Sequence, residues 1–175
     1  MHIKRDGVIL LDNNGELATI IGGLAAPEPA ILMRRIRHFS TILNVEGIEK
    51  PRYVSGLVRL GRYLLRTAIY ASAAAAGRPC FSVRELAVRF GQPQLVRLLA
   101  SDARARDEAS EAVLDDLCTR LAAVVGEPAA NPHGSIRALI VAEWESDPDN
   151  VSHAQSVLGY IKATLGVNFE VTPKQ

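Results

Sequence analysis

Arginine is the side chain that recurs at spacings suited to chemistry. Arg34 and Arg37 stand three residues apart, and Arg59, Arg62 and Arg66 recur at three- and four-residue steps. On a helix such steps share a face, so the guanidinium groups of the second row can converge. A planar guanidinium grips phosphate through two parallel hydrogen bonds. These five arginines are the candidate ligand-binding residues, for one anionic ligand such as a nucleotide phosphate or an RNA backbone. A solvated face, or pairing with Glu46, Glu49 and the acidic residues of a later helix, accounts for the same residues without a ligand. Arg66 lies in the apolar middle of LLRTAIYA, where a charge calls for a partner or a function.

Other chemistries find less support. His133 and His153 have no His or Cys partner at ligand spacing, so no metal site is expected. Toxin-type ribonucleases of helical form use an Arg/His pair on a late helix. Arg34 and His38 stand four apart on an early one, which departs from that motif. Cys80 and Cys118 form no C-x-x-C, and a disulfide framework is not expected. Cys118 falls on an apolar stripe and reads as an inert core thiol. Cys80 precedes a helix start and is the more reachable of the two, with a structural role. No catalytic residue is assigned.

Residues 82–101 carry a rival reading. Ala87, Gly91 and a short second helix resemble a helix-turn-helix, with Gln92, Gln94 and Arg97 as its groove contacts. That register asks for apolar side chains near Gln92 and Arg97, and both are polar. Pro93 is a good first helical residue. On this reading the chain is a DNA-binding or antitoxin-type regulator.

The elements that must position these residues are mostly helical. The chain has 175 residues and a formal charge of +1, so no overall field points to nucleic acid or membrane. No apolar run approaches the roughly 18 residues of a spanning helix, and cytoplasmic residence is the expectation. Tyr53, Leu57, Leu60, Leu64 and Ala68 give one stripe along a helix from about 52 to 76. Gly77 and Pro79 stop it. Ser82 to Glu85 has capping-box spacing, with Phe81 placed to staple onto Leu86. Further helices are expected near 29–45, 108–125, 135–145 and 151–165. Their inward residues include Ile36, Phe39, Leu114, Leu117, Trp144 and Ala154. Val8 to Leu11 reads as a strand before the turn Asp12-Asn13-Asn14-Gly15, with a weaker extended or helical segment after it. The predicted fold is mainly α: a helical bundle of five to seven helices with a short strand-like N-terminal arm. The arm is residues 1–25, the core helical domain 26–126, and a C-terminal helical hairpin 127–175.

One resemblance adds to this. LLRTAIYASAAAAGRPCFSVRELAVRFG, with the opening MHIKRDGVILLDNNGEL, is similar to the helical C-terminal region of small DNA-polymerase-β-type nucleotidyltransferases. It covers roughly residues 3–125 and consists of tail features, not a catalytic signature. The catalytic pattern of that family is Gly-Ser, about ten residues, then Asp-x-Asp on a strand, holding two magnesium ions. Gly134-Ser135 and Asp147-Pro148-Asp149 match the spacing, but Pro148 and the polar residues after it disfavour a strand. The resemblance therefore implies a non-catalytic substrate-binding or interaction domain, not an enzyme alone. Mg2+ and a nucleotide enter only beside a catalytic domain. That domain, or a second copy joined through the N-terminal strand, is the implied partner.

Overall fold

Apolar residues at helical steps between positions 53 and 69 make one helix the axis of the molecule. The computed structural model describes residues 15–23, 28–45, 47–99 and 109–159, and every regular element among them is helical. The fold is a mainly α bundle. In chain order the helices are α1 (Glu16–Gly23), α2 (Pro29–Phe39), α3 (Glu49–Ala75), α4 (Val83–Arg89), α5 (Gln94–Leu98), α6 (Glu111–Val125), α7 (Ile136–Glu143) and α8 (Pro148–Val157), with a 3-10 turn, Ser40–Leu43, after α2.

The axis is α3. Leu57, Leu60, Leu64 and Ala68 are buried as their spacing requires, and so are Val58, Gly61, Leu65 and Ile69. A helix apolar on more than one side must be covered on more than one side. Accordingly α6 packs along it through Leu114, Leu117 and Leu121, α2 through Ile36 and Phe39, and α8 across its first half. At Gly56 the approach of α8 is so close that a Cβ would lie 2.2 Å from the Val157 carbonyl oxygen. The helix ends as its sequence requires. Gly77 has φ +68, and the Gly77 and Arg78 N–H groups donate to the Ala74 and Ala73 carbonyls at 3.0 Å.

Several boundaries differ from expectation. The axis begins at Glu49, before Pro51, because first-turn N–H groups have no intrahelical acceptor and proline costs nothing there. Tyr53, with φ −113 and ψ 15, interrupts it soon after. The last helix begins at Pro148, not near 151. The Asp147 carboxylate accepts from the Asn150 N–H at 3.0 Å, and Pro148 takes the first helical position. Glu16–Gly23 is helical, and the strand expected at 8–11 lies outside the described residues. Cys80 is fully buried, not the more reachable thiol, since it sits under the start of α4 with its Sγ against the Ser82 N–H. Trp144 falls just past the end of α7 and is 59% exposed. Ser82 caps α4 as its spacing requires, accepting from the Glu85 N–H, while Phe81 meets the Tyr70 ring edge-on at 5.6 Å. No helix among the described residues is long and apolar enough to cross a membrane.

Candidate functional site

Four of the five arginines singled out by spacing meet backbone carbonyls, at several places. Arg62 Nε donates to the Leu98 carbonyl at 2.9 Å, and Arg66 donates to the Leu99 carbonyl. Both therefore hold the carbonyl end of α5, where the helix dipole favours a cation. Arg66 Nε is buried without a hydrogen-bond partner. Arg59 reaches the other way, to the carbonyl and hydroxyl of Ser156 in the last turn of α8. Arg37 donates to the Glu127 carbonyl at 3.0 Å, just past the end of α6, and Arg34 is exposed. Arg62 and Arg66 are thus brought together on one helix end, and Arg34, Arg37 and Arg59 are elsewhere. Of the carboxylates weighed as partners, Glu46 lies outside the described residues, while Glu49 accepts from the Ile136 N–H, Asp115 from Lys50 and Asp116 from Arg120.

The groove contacts of the rival reading lie around a small helix. Helix α5 has five residues, about 7.5 Å at 1.5 Å per residue. Gln92 accepts from Arg120 at 3.0 Å, and Gln94 and Arg97 are exposed.

A different corner gathers the reactive side chains. Where α2, α3 and α8 meet, a cleft of about 300 Å3 is lined by Arg35, Phe39, Tyr63, Thr67, Asp149 and His153, among others. The His153 ring lies between Phe39, at 4.7 Å, and Tyr63, at 5.4 Å. Arg35 sits 5.4 Å above the Phe39 ring and pairs with Asp149. The Tyr63 side chain faces outward and is 51% exposed. This is a cation and three rings in tilted contact at an open rim.

Beside the cleft, a chain of hydrogen bonds ties α2 to the C-terminal hairpin. His38 Nε2 lies 2.8 Å from Asp147 Oδ2, and the other Asp147 oxygen caps α8. The Asn150 side-chain amide donates to Glu143 at 2.6 Å, and the second Glu143 oxygen lies 3.3 Å from His133 Nε2. Burial pulls the Asp147 carboxyl upward. The Asn150 N–H, the His38 imidazole and the Arg35 guanidinium outweigh it, and the carboxyl lies below the ordinary aspartate range.

A further groove, of about 510 Å3, runs between the 3-10 turn and α6, with Lys50, Asp115, Cys118, Thr119 and Glu127 on its walls. There burial and the neighbouring Asp115, joined by Glu127 and opposed by Lys50, push the Cys118 thiol up to about 11.

Reading the sequence alone misses Arg35, His38, Tyr63, Glu143, Asp147 and Asn150 as a group. A local signal existed for one part of it. Asp147-Pro148 is a helix start, and Glu143 four residues earlier closes the preceding helix. Nothing local connects either to His38, which is 109 residues away. No protein-family model, no curated protein and no solved structure matches the chain.

Proposed function

We propose that the chain is a non-catalytic helical substrate-binding or interaction module, as its resemblance to nucleotidyltransferase-like proteins implies. It holds a nucleotide, or an acceptor carrying one, in the cleft between α2, α3 and α8. The observation that carries this reading is the pairing of Arg35 with the tilted Phe39–His153–Tyr63 ring cluster at the rim of one cleft. A base lies against the outward face of Tyr63, where stacking contributes about 1–3 kcal/mol. The phosphate meets Arg35, whose five N–H donors exceed what Asp149 can accept. A partner domain then brings the metal-bearing carboxylates for nucleotidyl transfer, and this chain shapes the acceptor side.

Calorimetric titration with ATP and AMP at low salt tests the reading. Saturable binding is expected, weakened at least about tenfold by Tyr63→Ala and by Arg35→Ala, the equivalent of 1.4 kcal/mol. Neither variant is expected to move the melting temperature, because both side chains are half exposed. No saturation by millimolar nucleotide, or binding indifferent to both substitutions, overturns it. Salt-sensitive binding of duplex DNA, lost on Arg97→Ala, favours the regulator instead.

A further inference from the structure

We propose that His38, Glu143 and Asp147 form a binding site for one divalent transition-metal ion of the zinc or cobalt type. The inference stands apart from the nucleotide reading, since the ligands are not the residues that line the cleft.

The three donor atoms, one imidazole nitrogen and two carboxylate oxygens, lie within 4.8 Å of one another. Ligand bonds of about 2.0–2.2 Å around a tetrahedral ion bring donors to about 3.4 Å apart. The His38–Asp147 pair, in direct contact at 2.8 Å, opens to that spacing when the ion enters, and Glu143 closes on it. Nitrogen and carboxylate together suit zinc, cobalt and their neighbours better than calcium or magnesium, which take oxygen.

The backbone presets the carboxylates. Glu143 ends α7 and Asp147 caps α8, and the turn between them is closed by the Ser146 and Asp147 N–H groups donating to the Glu143 carbonyl at 3.1 and 2.9 Å. Two carboxylates so close favour a cation between them. Outer contacts fix their orientation: His133 and the Asn150 amide hold Glu143, and the Asn150 N–H holds Asp147. Metal-ligating carboxylates characteristically carry such support.

An independent observation points to a ligand. Asn150 is completely buried, yet its Oδ1 has no hydrogen-bond partner. The same amide's nitrogen is 2.6 Å from Glu143, and the two amide atoms are only about 2 Å apart. The orphaned oxygen therefore lies within about 5 Å of the Glu143 carboxylate. A buried acceptor left unmatched costs about 1–3 kcal/mol. A metal-bound water is the donor it lacks. The His38 side chain is 47% exposed, which leaves the ion an open side for that water and for an entering ligand.

The test uses the whole chain, freed of metal by chelator and dialysed. Titration with Co2+ followed by its visible absorption, and with Zn2+ by calorimetry, is expected to give one equivalent per chain. His38→Gln and Glu143→Gln are each expected to weaken binding at least tenfold. His38→Gln guards against misfolding, because the ring is half exposed and loss of its surface contact with Asp147 should cost the metal-free protein no more than about 1 kcal/mol. Absence of binding below about 1 mM, or a stoichiometric site that survives both substitutions, overturns the proposal.

Discussion

Gly56→Ala and Gly61→Ala place the same methyl group five residues apart on α3, and they should shift stability in opposite directions. At position 56 the new Cβ meets Val157: its carbonyl oxygen at 2.2 Å, and its carbonyl carbon and Cα at 2.8 Å. Contact distance is about 3.5 Å, so α8 must retreat by about 1 Å. The obstacle is backbone, which no rotamer change relieves. Overpacking of this kind costs about 1–3 kcal/mol, and the better helix propensity of alanine returns about 1 kcal/mol. A 2.2 Å contact with backbone belongs at the upper end of that range, about 2–3 kcal/mol, so the net expectation is a loss of about 1–2 kcal/mol, or roughly 2–8 °C in melting temperature for a chain of this size. At position 61 the nearest atoms are Leu117 Cδ1 at 3.4 Å and Cβ at 3.5 Å, ordinary contacts. The propensity gain then stands almost alone, and Gly61→Ala should stabilise by about 0.5–1 kcal/mol. Urea unfolding followed by far-UV circular dichroism reads both. If Gly56→Ala is as stable as the parent, or both variants move the same way, the close approach of α8 to α3 is not real.

Two further predictions concern one side chain of the axis and one of the helix packed along it. Arg62→Ala removes the donor to the Leu98 carbonyl from a position only 8% exposed, and should cost about 2–3 kcal/mol in urea unfolding; a loss within 0.5 kcal/mol contradicts that role. The Cys118 thiol, raised from 9.0 to about 11, should react at pH 8 about 100-fold more slowly in native protein than in urea, although it lines an open groove. The unfolded thiol ionises first, so this group's contribution to stability falls away as pH rises from about 9 to about 11. A native labelling rate that already levels off below pH 9 speaks against the shift.

Much of the scaffold was legible because its signals are local. The stripe of Leu57, Leu60, Leu64 and Ala68, the Gly77 stop and the Ser82 cap each depend on residues within a few positions. The start of α8 departs from expectation for a reason equally local: Asp147 and Pro148, which disfavour a strand, are a cap and a first helical residue. Arg66 reads from the sequence as a charge in need of a partner. Its partner, the Leu99 carbonyl, is a backbone atom 33 residues on, and side-chain patterns carry no trace of that. The His38–Asp147 pair and the Arg35–Asp149 pair were illegible for the same reason, since packing and not spacing brings α2 to the C-terminal hairpin.

Helix α5 has a dependence built into it. Five residues are far fewer than the 12–15 or so at which a helix begins to persist in water, because nucleation outweighs the few bonds gained. Its order comes from outside, through two guanidinium groups that reach from the axis to its final carbonyls. The stretch from Val83 to Leu99 then cannot fray one turn at a time. Its amide protons should exchange with solvent in a single cooperative opening that also breaks both guanidinium contacts, and that opening would expose Leu86, Leu95 and Leu99 together.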